Sequence, residues 1–237
     1  TDTPTTFPTN YPTFLPTTSP TMSPTSPPTP NCNVVAVDDF DYPDGTLVGA
    51  PGSPWTVTSG LTSPIMVTNQ RVSIVHGDGF REDVRFPMPT SYSSGFLLAK
   101  FQMSVDKAIG GTDFEYFAHF SRSAIRFVCR VDLVAPNSAE DGDYTIGISS
   151  TTSTAEATLG VDFQAGDEVS VVVYIDLYTG LCSVAAGGDT ATGTTTSDDA
   201  LNSFHLRQSN SASDETITMD GLRIFRLDSL SEIERCI

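Results

Sequence analysis

The sequence predicts an all-β protein, a two-sheet antiparallel sandwich preceded by an extended polyproline II tail. Three observations carry that expectation. Prolines recur at a strict spacing of four from Pro4 to Pro28. From Asn33 onward, short runs rich in Val, Ile, Phe, Tyr and Thr alternate with clusters of Gly, Asp, Asn, Pro and Ser, the texture of strands and turns. No stretch reads as a convincing helix, and only Ser231–Arg235 could make a last helical turn.

The tail, residues 1–31, repeats the unit Pro-Thr-x-x. A proline every fourth residue forbids an α-helix, because each ring removes a donor and clashes with the preceding turn. Polyproline II is what remains, with three residues per turn and a rise of ~3.1 Å. A period of four on a threefold helix turns each successive threonine by about a third of a circle, so hydroxyls point out on three sides. Thr5, Thr9, Thr13, Thr17, Thr21, Thr25 and Thr29 are therefore candidate O-glycosylation sites. None of the asparagines has Ser or Thr two residues on, so glycans are expected to be O-linked only. The first half of the tail also holds Phe7, Tyr11, Phe14 and Leu15. A pure spacer has no use for large apolar groups, whereas a segment that docks on a partner needs such anchors.

Residues 32–237 read as one domain. The candidate strands, in order, are Val34–Phe40, Trp55–Thr58, Ile65–Val67, Arg71–His76, Asp83–Phe86, Gly95–Val105, Phe114–Ser121, Ile125–Leu133, Tyr144–Ser149, Ala157–Phe163, Glu168–Leu177, Leu181–Ala186 and Thr216–Leu227. Alternation places Phe114, Tyr116, Ala118 and Phe120 on one face of their strand, with His119 turned away. It likewise sets Ile125, Phe127, Cys129 and Val131 opposite Arg126 and Arg130. Ala185-Ala186-Gly187-Gly188-Asp189-Thr190 lacks the lysine of a phosphate loop and reads as a turn.

The net charge is −17, and only Asp2 is charged within the first thirty residues. So acidic a surface disfavours nucleic acid and anionic membranes as partners. No apolar run approaches the ~18 residues of a membrane span. The chain begins at Thr1, which we read as a mature secreted chain whose signal peptide has been removed. Four cysteines without a C-x-x-C spacing favour disulfides over a metal site. Four cysteines allow three pairings. Cys32 opens the domain and Cys236 is the penultimate residue, so joining them would staple the two ends, leaving Cys129 to pair with Cys182.

Asp39-Phe40-Asp41-Tyr42-Pro43-Asp44-Gly45-Thr46-Leu47-Val48-Gly49, followed by Trp55, resembles the opening of laminin-G-like, concanavalin A-like jelly rolls. Gly166-Asp167-Glu168 through Asp176, then Tyr178-Thr179-Gly180, resembles their late hairpin, and Met219-Asp220-Gly221-Leu222-Arg223-Ile224 their closing strand. The resemblance implies a jelly-roll sandwich with Trp55 in its core. It also implies a calcium site, for which Asp38, Asp39, Asp41 and Asp44 are the candidates; their spacing is not that of an EF-hand, however, and an acidic turn at the sandwich rim is the expected reading, with no metal. The tail separately resembles surface and cell-wall proteins of microbial eukaryotes, stramenopiles among them.

Glycoside hydrolases of this class commonly carry a Glu-x-Asp-x-x-Glu strand. Asp113 and Glu115 alternate here without a third acid, so enzymatic activity is not expected. His76, His119 and His205 fall on separate stretches without catalytic or metal-ligand spacing, and each reads as structural or exposed. Sugar recognition would use Tyr92, Tyr116, Tyr144 or Tyr178 as stacking platforms.

These features lead to one functional expectation and one alternative. The first is a structural subunit of an extracellular glycoprotein filament. A tail spanning roughly 90 Å exceeds a head of ~40–45 Å, so it could dock on a neighbouring copy and build a head-to-tail homopolymer decorated with O-glycans. The alternative is a lectin-like or adhesive carbohydrate-binding head on a mucin-like stalk.

Overall fold

The computed structural model describes residues 32–60, 62–79, 81–110, 114–123, 126–150, 154–195, 200–209 and 214–236. The tail threonines, the anchors Phe7, Tyr11, Phe14 and Leu15, and Asp113 lie outside these residues.

Sixteen strands follow in order: β1 (Asn33–Asp38), β2 (Gly45–Thr46), β3 (Thr56–Ser59), β4 (Met66–Thr68), β5 (Arg71–Val75), β6 (Asp83–Tyr92), β7 (Phe96–Val105), β8 (Phe114–Ser123), β9 (Arg126–Val134), β10 (Thr145–Ser149), β11 (Ala157–Thr158), β12 (Val169–Asp176), β13 (Leu181–Ala186), β14 (Asp189–Thr194), β15 (Leu201–Arg207) and β16 (Thr216–Leu227). Among the described residues, nine strands form an antiparallel sheet ordered β14-β13-β12-β7-β16-β5-β4-β2, with β1 also paired to β16. Seven form the facing sheet, ordered β11-β10-β9-β8-β15-β6-β3. The predicted class, a two-sheet antiparallel jelly-roll sandwich, is the observed one. A 3-10 turn at Leu230–Glu232 and a helical turn, α1 (Ile233–Cys236), close the chain where the last turn was expected. No helix among the described residues is long and apolar enough to cross a membrane.

Most expected strands stand within two residues of their predicted bounds. Asp83–Phe86 runs on to Tyr92, the Ala157–Phe163 strand shortens to two residues, and β2, β14 and β15 were not anticipated. The glycine-rich stretch is the expected turn. Gly187 and Gly188, at φ 60° and 83°, join β13 to β14 with Ala186 opposite Asp189, and both conformations are cheap only for glycine.

The core fills the space between the sheets. Phe101 of the nine-stranded sheet meets Phe117 edge-on at 6.2 Å and Phe204 at 6.4 Å, and Phe204 meets Phe120 at 5.3 Å. Such tilted ring pairs add about 0.5–1.5 kcal/mol each beyond the area they bury. Trp55 is 2% exposed, as the resemblance implied, and packs edge-on against Phe86 at 5.4 Å.

A second apolar cluster lies apart from this core. Phe96, Leu98, Val172, Phe225, Leu227 and Ile233 pack with Cys32, Tyr174 and Cys236 against them. The Cys32–Cys236 disulfide joins the start of β1 to α1, with Cα atoms 5.8 Å apart. The second expected bridge is not formed, because Cys129 and Cys182 are free and buried. Cys129 donates its thiol hydrogen to the Tyr174 carbonyl at 3.4 Å. Burial, and then the neighbouring Cys182, push its pKa well up, which keeps the thiol protonated and unreactive.

Candidate functional site

The acidic stretch after β1 is a structural knot. Asp38 is 5% exposed. Its carboxylate accepts from the Phe40 amide at 2.8 Å, the Tyr42 hydroxyl at 3.0 Å and the Trp55 indole Nε1 at 2.6 Å. Burial and the nearby Asp38 charge raise the Tyr42 pKa, so its hydroxyl keeps the proton it donates. Asp39 pairs with Arg223 on β16. Asp41 accepts from Gln70, and Asp44 accepts from the Asn69 amide at 2.9 Å. Both of those partners sit in the β4–β5 turn at positive φ. These bonds describe an acidic turn better than the calcium site that the resemblance implies. The four carboxylates are turned to separate partners, and no cluster of three or more potential metal ligands exists among the described residues. Asp38→Ala should cost about 3 kcal/mol, since it strands the Trp55 N–H and the Phe40 amide in the interior. Denaturant unfolding followed by the emission of the lone tryptophan measures this, and a loss under about 1 kcal/mol would contradict it.

The polar chemistry gathers instead on the outer face of the seven-stranded sheet. Cross-strand pairing aligns Thr56, Arg85, His205, His119 and Arg130 across β3, β6, β15, β8 and β9. One flanking row holds Pro87, Ser203 and Ser121, and the other holds Asp83 opposite Arg207 and Tyr116 opposite Asp132.

Two β-bulges bring aromatic rings to this face. The pairing skips Phe117 on β8 and Cys129 on β9, and Cys129 sits at φ 56°. Each extra residue reverses the parity of the side chains beyond it. Phe117, Ala118 and Phe120 consequently all reach the core, as do Val128, Cys129 and Val131. Tyr116 and Phe127, expected to share a face with Phe120 and with Cys129 and Val131 respectively, turn instead to the outer face.

There Phe127 lies 4.5 Å from His119 and 6.1 Å from Tyr116. The guanidinium carbons of Arg207 and Arg130 stand 4.2 and 4.5 Å from the Tyr116 ring centre, cation–π geometry worth about 0.5–2 kcal/mol. Arg207 also pairs with Glu115 at 2.9 Å. His119 and His205, each 1% exposed, stack with ring centres 4.7 Å apart.

Burial, and then Arg85, push His205 down to about 3. Burial, and then His205, Arg130 and Arg207, hold His119 well below its ordinary value. Both imidazoles are thus neutral at neutral pH. Burial pushes Asp132 up to about 8, despite its bond from Ser149 and the nearby Arg130. Neither ring nitrogen of His119, nor Oδ2 of Asp132, meets a hydrogen-bond partner among the described residues. Buried polar atoms without partners are costly, and adjacent strands carry these. A cleft of about 310 Å³ adjoins the Arg85 end of the row, lined by Pro87, Met88, Thr90, Ser91, Asn202 and Ser203 besides Arg85.

The other sequence candidates divide cleanly. His76 is structural, buried and 2.6 Å from Glu215. Of the tyrosine platforms, Tyr144 is fully buried in the core, Tyr92 packs against the core's edge, and Tyr178 is 72% exposed near the β12–β13 turn. Only Tyr116 joins the polar face. Sequence reasoning missed the partnership of His119, His205, Arg85, Arg130 and Arg207. The strict alternation Ser203-Phe204-His205-Leu206-Arg207 was the signal that could have revealed β15.

No protein-family model matches the chain, and no curated protein matches it. Solved structures do. Part of a sialidase superposes with a TM-score of 0.51 at 13% identity, over 81% of this chain and 19% of that one. An alginate lyase from Corynebacterium sp. gives 0.50 at 15% identity, over 72% of this chain and 93% of that one. The carbohydrate recognition domain of Emp47p gives 0.49 at 10% identity, over 82% and 97%. At these identities the first two likenesses establish the fold, a jelly-roll sandwich, and nothing finer.

Proposed function

We propose that the head is an extracellular carbohydrate-binding domain that holds a glycan on the outer face of its seven-stranded sheet. The Pro/Thr-rich tail would carry it as an O-glycosylated stalk. The observation that carries this reading is the placement of Tyr116 and Phe127 beside Arg130, Arg207, His119 and His205 on adjacent strands. A sugar ring offers an apolar C–H face and a rim of hydroxyls, which call for aromatic surface flanked by a few fixed polar groups. The rigid sheet fixes these groups before any ligand arrives, which lowers the entropic cost of binding. The Cys32–Cys236 bridge accords with an oxidising compartment. The activity proposed is binding without turnover.

A panel of oligosaccharides offered to the full-length chain tests this. Binding that falls about tenfold or more in Tyr116→Ala and Phe127→Ala, with the β-rich circular dichroism retained, is the expected result for stacking anchors. A chain that binds no oligosaccharide, or variants that bind undiminished, would remove the reading.

The filament remains the second reading, favoured by Phe7, Tyr11, Phe14 and Leu15 in a tail that as a stalk would not need them. Filaments of the full-length protein that vanish on deleting residues 1–15 would support it. A monomer at high concentration would count against it.

A further inference from the structure

The electrostatics of the polar face narrow the ligand. The protein carries −17 overall and twelve Lys and Arg in all, yet Arg85, Arg130 and Arg207 share one face of one sheet. Of the acids on that face, Asp132 is protonated at neutral pH. Glu115 is held by Arg207, and Asp83 accepts from Ser59 at 2.6 Å and from the Gln208 amide at 3.1 Å. His119 and His205, neutral chiefly because they are buried, add no charge to this face.

Arg85 stands out among the cations. Its Nε donates to the Thr56 hydroxyl at 3.1 Å, and it forms no ion pair among the described residues. That single bond fixes one edge of the guanidinium. The fork of terminal N–H donors remains for a planar anion, which arginine binds with two parallel bonds. Arg85 is the one charged residue lining the 310 Å³ cleft, whose remaining polar groups are the hydroxyls of Thr90, Ser91 and Ser203 and the Asn202 amide.

We propose that the sugar held on this face is acidic, its carboxylate or sulfate seated on Arg85 in the cleft and the chain continuing across the His205–His119 row towards Arg130. This inference rests on the carbohydrate reading above. The net negative charge does not oppose it at contact distance, because surface charges more than ~8 Å away are largely screened at physiological ionic strength. Along the way the partly exposed Tyr116 ring and the Arg207 guanidinium over it offer an apolar face and donors to the sugar.

The test is calorimetric titration of the full-length chain with three oligosaccharides of equal length: a polygalacturonate fragment, a sulfated galactan fragment and a neutral glucan. Stronger binding of either acidic fragment is expected, and the fragment preferred identifies the anionic group. Arg85→Gln should weaken the acidic ligand by about tenfold or more, the scale of a charge-assisted pair, while Arg85→Lys recovers part of the loss. A melting temperature within a few degrees of wild type for both variants confirms that the sheet is intact. Equal binding of acidic and neutral fragments, or an Arg85→Gln variant with undiminished affinity, overturns the inference and leaves the carbohydrate reading standing. Failure of all three fragments to bind overturns both.

Discussion

Replacing Cys32 and Cys236 with serine is expected to lower stability by about 5 kcal/mol in the chain-entropy account of disulfides, in which the gain grows with the length of the closed loop. The bond spans 204 residues, almost the whole domain, so the unfolded chain loses more freedom to it than to any other crosslink the domain could hold. Against a typical total of about 5–15 kcal/mol, the loss is large. It should appear as a fall of roughly 10–20 °C in melting temperature. The folded side contributes too. Both cysteines pack against Phe96, Leu98, Phe225 and Ile233, and freeing the chain ends lets α1 lift from that cluster. Differential scanning calorimetry of the double variant measures the shift. Non-reducing peptide mapping should recover Cys32 linked to Cys236. Alkylation should label Cys129 and Cys182 only after unfolding, since both are buried. A melting temperature unchanged by the double substitution would refute the account.

The sandwich was legible in the sequence because a strand's period of two and its turn residues are local signals. Gly187-Gly188 and the run Thr216–Leu227 show this directly. The polar face was not legible, for two physical reasons. First, β15 follows a Thr-, Ser- and Asp-rich stretch and opens on Leu201-Asn202-Ser203, which does not alternate. Without β15, His205 and Arg207 had no neighbours. Second, the bulges at Phe117 and Cys129 invert side-chain parity, and a bulge is decided by pairing with another strand, which no local pattern encodes. Straight alternation therefore put Tyr116 on the face of Phe120 and Phe127 on the face of Cys129 and Val131, away from His119 and Arg130. The partners of the aspartates near Asp39 were hidden for a related reason. Trp55, Gln70, Asn69 and Arg223 lie up to 184 residues away, and nothing local announces that each carboxylate is already occupied.

The same buried groups make stability depend on pH with a maximum near pH 6.5. His205 is held at about 3 and His119 well below 6.5 in the folded protein. As pH falls through 6.5, the unfolded chain takes up protons on both imidazoles that the folded chain refuses. Their contribution is thus complete above 6.5 and is lost on acidification, down to about 3 for His205. Asp132 acts in the opposite sense. Its folded value of about 8 exceeds its ordinary 3.8, so its contribution is complete below 3.8 and is lost as pH rises towards 8. Just below 6.5, where both imidazoles refuse protons that the unfolded chain accepts, they outweigh Asp132 and stability climbs with pH; above 6.5 Asp132 dominates and stability falls. One proton corresponds to about 1.4 kcal/mol per pH unit, so the drop from pH 6.5 to 8 should be about 2 kcal/mol. Urea unfolding at half-unit intervals reads it. Asp132→Asn should flatten the alkaline limb, because the amide cannot ionise and still accepts from Ser149. His205→Asn should soften the acid limb. An Asp132→Asn variant that declines above pH 6.5 as steeply as wild type would show that another group sets the alkaline limb.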